Sequence, residues 1–193
     1  AQTRISVRNV ADVMSDYVFT QKNLECHFFK ISLISSLFVT ALKEFKNAKS
    51  IGIYLSKDTE IGTYDILSDA FDANKTCYVP RVVYKTIDFV PVFSMRDVYE
   101  EVPINQLSIQ QPTWTDKSGS IHVFIFNFSG RTIDLLILPG LAFTRSGSRF
   151  PDGVTDYIQQ FIRKAREMCD PFLIGLCLRQ QVVKEGRPLS TPG

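Results

Sequence analysis

The residues best placed to do chemistry follow a single buried strand. Ile133 to Leu138 is a continuous apolar run, the pattern of a strand covered on both faces. Pro139-Gly140 then lets the chain turn sharply, and a loop rich in Gly, Ser and Arg continues to Asp152. Gly147 and Gly153 would let backbone approach a ligand closely. In open α/β sheets, ligands bind at the carboxyl ends of strands. A glycine-containing loop that opens a helix offers backbone N–H groups to a phosphate. Spacing alone leaves the plainer reading open, since most such loops simply join a strand to a helix.

The elements that would hold this loop follow from periodicity. Leu24, Phe28, Ile31, Ile34, Phe38, Leu42 and Phe45 recur every three or four residues, which predicts a helix over 22–46, widened by Leu33, Leu37 and Ala41. A shorter helix is expected around Ile5 to Met14. Ser50 to Leu55 reads as a strand. Thr63 caps a helix near 64–73, and Thr76 to Val79 is the next strand, giving a parallel strand–helix–strand unit. Phe89 to Phe93 is an edge segment, because Pro91 cannot donate to a ladder. Residues 103–120 read as loop. His122 to Phe128 reads as a strand with Phe124, Phe126 and Phe128 on one face, which is either a packed core face or a surface for a partner. Thr155 to Met168 is a helix with Tyr157, Ile158, Phe161, Ile162 and Ala165 inward, and Phe172 to Leu178 is the last strand. The expected fold is α/β: one domain over 1–193 with a mostly parallel sheet flanked by helices.

Composition narrows the function. The chain has 193 residues, 45% of them hydrophobic and 22% charged, which suits one globular core. A net charge of +2 gives no support to a protein that binds DNA through bulk charge. The cluster Arg163-Lys164-Arg166 is either a solvated helix face or a contact for RNA phosphate. Four cysteines without CxxC spacing and two histidines argue against structural zinc. Cys77 and Cys177 sit in apolar runs and are expected to be buried thiols. No apolar run approaches a membrane span. Residue 1 is Ala, which fits an organellar presequence already removed; mitochondrial location is therefore expected, with cytoplasmic as the alternative.

Several segments together resemble the 5-formyltetrahydrofolate cyclo-ligase (methenyltetrahydrofolate synthetase) family. That family has a strand followed by Pro-Gly-x-x-Phe-Asp, then Arg-Leu-Gly-x-Gly-Lys/Gly-Gly-Tyr-Tyr-Asp opening a helix. Here Pro139-Gly140-Leu141-Ala142-Phe143, Gly147, Arg149, Gly153 and Tyr157 fall in matching places. Ser56, Glu60, Ile61 and Thr63 resemble its Ser-x-x-x-Glu-Ile-x-Thr loop. Tyr78-Val79-Pro80-Arg81, Ile109-Gln110-Gln111-Pro112 and Gly175 to Gln181 resemble later segments, and Arg4 and Arg8 its N-terminal basic pair. The resemblance implies a Rossmann-like three-layer fold. It also implies an activity that uses ATP and Mg²⁺ to phosphorylate the formyl oxygen of 5-formyltetrahydrofolate, which then cyclises to 5,10-methenyltetrahydrofolate. Amides and cations around the phosphates, a carboxylate for magnesium and a pocket for a flat pterin are what that reaction needs. On this resemblance Glu60 lines the folate side, and Arg4, Arg8, Arg149, Gly153 and Tyr157 line the nucleotide side.

The departures cluster in one place. The family's first loop glycine is Pro151, which removes a backbone donor. Its basic residue is Val154, its third glycine Thr155 and its metal-binding Asp is Ile158; the Asp after the Pro-Gly motif's Phe is Thr144. Asp152 adds negative charge beside a triphosphate position, a repulsion of about 1 to 4 kcal/mol at close range. The leading expectation is a cyclo-ligase homologue without ATP turnover, with no resident cofactor or metal. It would act as a binding or structural component of a larger assembly of protein and, as a second option, RNA, such as a mitochondrial ribosome or its assembly intermediate. The alternatives are a working cyclo-ligase with ATP and Mg²⁺, and a folate or nucleotide sensor.

Overall fold

The computed structural model describes residues 6–9, 36–57, 60–83, 86–100, 132–150 and 157–184. In chain order the strands are β1 (Ser6–Asn9), β2 (Ser50–Ile53), β3 (Thr76–Val83), β4 (Thr86–Val92), β5 (Leu135–Leu138), β6 (Ala142–Thr144), β7 (Arg149–Phe150), β8 (Phe172–Cys177) and β9 (Val182–Val183). The helices are α1 (Lys43–Asn47), α2 (Tyr64–Asp72), α3 (Met95–Glu100) and α4 (Tyr157–Met168), and a 3₁₀ turn spans Arg179–Gln181. Six strands form one sheet in the order β1-β8-β5-β2-β3-β4. Neighbours are parallel except β3 with β4. Pro91 stands in the outer strand β4 opposite Tyr78, where no ladder bond is asked of its nitrogen.

The side chains of the central strands alternate between two cores, as a period of two requires. Ile51, Ile53, Leu135, Ile137 and Ile174 pack with Ile66, Leu67 and Ala70 of α2. Leu136, Leu138 and Leu173 pack on the other face with Phe161, Ile162 and Ala165 of α4. All four residues of β5 are fully buried, each worth roughly 1.5–3 kcal/mol relative to exposure. This is the three-layer α/β architecture expected, with helices on both faces of a mostly parallel sheet. Cys77 and Cys177 are buried, free thiols.

Several local expectations change. Ser6–Asn9, read as part of a helix from Ile5 to Met14, is a strand, because its backbone pairs in parallel with β8 from Ser6↔Ile174 to Asn9↔Cys177. Within the helix expected over 22–46, residues 36–41 are helical, but Leu42 is extended (φ −64°, ψ 142°) and separates them from α1. Leu37 and Ala41 are exposed, while Val39 and Phe45 are buried. A segment with apolar residues at nearly every turn has no unique inward face, and packing selects one. The stretch after Pro139, read as loop, contains the β6–β7 hairpin, and Phe172–Cys177 is not the last strand, since β9 pairs with β6. The loop at 103–120, the aromatic strand at His122 to Phe128 and residues 22–35 lie outside the described residues. Among the described residues, no helix is long and apolar enough to cross a membrane.

Candidate functional site

The connections leaving β2 and β5 run in opposite directions. From β2 the chain passes through α2 to β3 on one side; from β5 it passes through α4 to β8 on the other. Because β2 and β5 are parallel neighbours, with Ile53 opposite Ile137, the switch point lies between them, and sheets of this kind take ligands in a crevice beyond the carboxyl ends at that point. Two loops flank it: 54–63 after β2 and 139–149 after β5.

The first loop is closed by its own side chains. Thr63 Oγ1 donates to Tyr54 O at 2.6 Å and accepts from Ser56 N at 3.2 Å. Thr63 N donates to Ser56 Oγ at 3.1 Å. Thr63 does precede α2, as expected, but its hydroxyl makes no capping bond to that helix; it staples the loop to the strand. Tyr54 Oη donates to Ile61 O at 3.0 Å. Burial, then the Glu60 carboxylate, then Cys177 push the Tyr54 phenol far above its ordinary range, so it serves as a neutral donor and not as a base. Glu60 is half-buried, and its Oε2 accepts from Lys57 N at 2.9 Å. That bond ties the carboxylate back to its own loop.

The second loop is held from several elements. Phe143 is fully buried in β6. A Cβ at Gly140 would stand 2.7 Å from Phe143 Cζ, and one at Gly175 would overlap Phe143 Cε1. Both glycines are therefore demanded by the ring. Gly147 has φ 95°, a backbone state that favours glycine, and its N donates to Thr144 O at 3.1 Å. Arg149 in β7 donates from Nε to Pro139 O at 2.6 Å. Gln181, in the turn after β8, donates from Nε2 to Gly140 O (2.9 Å) and Leu141 O (3.3 Å).

Of the expected site residues, Glu60 stands in the loop after β2 and Arg149 in β7 after β5, so both follow the carboxyl ends of adjacent strands. Arg8 lies one residue from the carboxyl end of β1, level with Leu176, so its backbone is on the same sheet edge but two strands from β5. Tyr157 is the first residue of α4; its side chain, like Arg4 and Gly153, lies outside the described residues. Two positions where the resembled motif has carboxylates are resolved in detail. Thr144 is 3% exposed. Its hydroxyl bonds Ser146 Oγ at 2.9 Å and accepts from Ser148 N at 3.0 Å. Ile158 packs against the core of Tyr78, Phe89, Leu138 and Phe161. These two side chains do not fit a magnesium ion: one is an enclosed hydroxyl and the other is hydrocarbon. Gln181 and Arg81 stand in segments that resemble the family, but their types and spacing declare no role, and Arg81 is 5% exposed in β3. A lone polar residue near a strand end carries no periodic signal, so only the fold shows what it touches.

Comparison with known proteins places these features in a lineage. The model of the 5-formyltetrahydrofolate cyclo-ligase family matches residues 33–189. A mouse protein named 5-formyltetrahydrofolate cyclo-ligase is 27% identical over 155 residues, covering 78% of this chain and 72% of its own length. A probable 5-formyltetrahydrofolate cyclo-ligase of Caenorhabditis elegans is 29% identical over 168 residues, covering 85% and 74%. A mitochondrial 5-formyltetrahydrofolate cyclo-ligase of Arabidopsis thaliana is 29% identical over 165 residues, covering 77% and 57%. Among solved structures, the Aquifex aeolicus 5,10-methenyltetrahydrofolate synthetase shares the fold with a TM-score of 0.61 at 19% identity, over 86% of this chain and 75% of that one. The Mycoplasma pneumoniae 5,10-methenyltetrahydrofolate synthetase does so at 0.51 and 14%, over 95% and 89%.

Proposed function

The chain belongs to the 5-formyltetrahydrofolate cyclo-ligase family, and we propose that it is a member that keeps the crevice but does not turn over ATP. The observation that carries this reading is Ile158. Where the family's motif has its metal-binding Asp, this chain has a partly buried hydrocarbon side chain packed against the α4 core. The enclosed Thr144 hydroxyl, Val154 at the basic position and Asp152 beside it point the same way. Val154 and Ile158 leave out the cation and the carboxylate that would hold a Mg-bound triphosphate, and Asp152 adds a repelling charge. What such a protein retains is a shaped surface, so its role is binding within a larger assembly of protein. RNA is a second partner, met by Arg163, Lys164 and Arg166, which are all exposed on α4. A mitochondrial ribosome or its assembly intermediate is the concrete form of this proposal; the mitochondrial relative from Arabidopsis supports the location.

Calorimetric titration with ATP·Mg²⁺, with and without 5-formyltetrahydrofolate, tests the loss of turnover. No micromolar nucleotide binding and no methenyl absorbance are expected; methenyl product would overturn the reading. Co-purification from the native source tests the assembly role, and a monomer free of protein and RNA would overturn that part. A second reading, a folate sensor, is favoured by Ser56, Glu60 and Thr63, which keep the motif and close the loop after β2. Folate binding without nucleotide binding would select it.

A further inference from the structure

Three consecutive carbonyls at the turn off β5 each accept a bond from a distant side chain. Pro139 O takes the Arg149 Nε bond at 2.6 Å. Gly140 O and Leu141 O share the Gln181 Nε2 group at 2.9 and 3.3 Å. The other end of the same amide is also used: Gln181 Oε1 accepts from Leu178 N at 2.7 Å. One side chain thus joins the exits of two adjacent parallel strands, β5 and β8, at the crevice edge. The 3₁₀ turn places it there, with Gln181 N donating to Leu178 O at 2.9 Å, and β9 continues directly onto β6 through Phe143↔Val182.

We propose that Gln181 is a positioning residue for the crevice, holding the Pro139–Gly140–Leu141 turn in its ligand-facing arrangement. The role needs both halves of a neutral amide. The oxygen accepts from one strand exit and the nitrogen donates to the other, 40 and 41 residues away in sequence. A carboxylate could keep the first bond but would set negative charge against two carbonyl oxygens. A protonated carboxyl could donate again. This gives the proposal a signature that space-filling cannot imitate, namely a loop that tightens when a group at position 181 takes up a proton.

The experiment is amide hydrogen exchange on the full chain, expressed as protection factors so that intrinsic pH effects cancel. For Gln181→Glu, protection of the amides in 139–150 is expected to fall about tenfold at pH 7.5, the equivalent of one lost net hydrogen bond or two, and to recover at pH 4, below the ordinary Glu value of about 4.3. The central strand β2 should be unchanged in both conditions. Gln181→Met keeps the side-chain length without a charge. It should lose protection at both pH values without recovery, and it keeps the test open should the Glu variant fail to fold. Equal protection for the natural chain and both variants would overturn the proposal, as would a loss in Gln181→Glu that low pH does not reverse. The clamp rests on the proposed function only in calling the turn ligand-facing, and exchange is read without ligand. Methenyl product from the natural chain would therefore sink the function and leave the clamp standing, while unchanged protection would do the reverse.

Discussion

The two loops flanking the crevice have diverged differently. The β2 loop keeps every polar side chain of its motif, and those side chains bind the loop's own backbone: Thr63 to Tyr54, Ser56 to Thr63, Glu60 to Lys57. The β5 loop keeps its shape-giving residues, Gly140, Phe143, Gly147 and Arg149, yet has Thr144, Val154 and Ile158 where charge is expected. Residues that close a loop are retained with the fold because their removal leaves buried polar groups unsatisfied. Residues that serve only a ligand can be lost without unfolding anything. Glu60 closes its own loop through Lys57 N, so its presence says less about function than Ile158 does.

The largest effect should come from the scaffold of the β5 loop. Phe143→Ala removes a fully buried ring from between Gly140 and Gly175 and should cost about 3–5 kcal/mol in denaturant unfolding. A loss under 1 kcal/mol would mean that the ring does not organise the loop. Next in size is the β2 loop: Thr63→Val takes away the donor to Tyr54 O and the acceptor for Ser56 N, with an expected loss of about 1–3 kcal/mol. Thr63→Ser should restore most of it. If Thr63→Val were neutral, the contrast between a self-closed loop and a ligand-serving one would fail.

Ile158→Asp puts a carboxylate against the α4 core and should destabilise by about 1–3 kcal/mol. Combined with Pro151→Gly and Val154→Lys, it should give ATP·Mg²⁺ binding stronger than that of the natural chain, read by calorimetry. Equal binding before and after would show that these positions are not what separates the two loops.

The core under both loops should show its own pH dependence. Burial raises the Cys77 thiol to about 12, opposed in small part by Lys75. A thiol raised in the fold keeps its proton after the unfolded chain has lost its own. This contribution is therefore complete below the ordinary thiol range near 9 and is lost as pH rises from there towards 12. Stability should fall over that window in the natural chain and fall less in Cys77→Ala. The smallest effect is Glu60→Gln, which keeps an oxygen for Lys57 N at an exposed bond and should change stability by less than about 0.5 kcal/mol. If that variant nevertheless abolished folate binding, Glu60 would be assigned to the ligand and the sensor reading would gain.

Much of the fold was legible because its signals are local. Leu135–Leu138 reads as a doubly buried strand from four consecutive apolar residues, and Phe161, Ile162 and Ala165 declare the inner face of α4 by spacing alone. The site was legible to the extent that Glu60 and Arg149 stand in recognisable motifs. The switch point itself was not, because strand order is set by which crossovers pack on which face. Ser6–Asn9 misled for a related reason: four residues with no period become a strand only when β8 offers its edge.

Sequence by itself determined the layered α/β class, the family, and a hydrocarbon side chain at position 158, since these depend on residue identity and short-range order. Tertiary structure alone decided that Thr63 staples a loop instead of capping a helix, that Phe143 requires two glycines 35 residues apart, and that Gln181 joins two strand exits. Those are contacts across long stretches of chain, made only when hydrophobic burial brings the strands into register and their leftover polar groups must find partners.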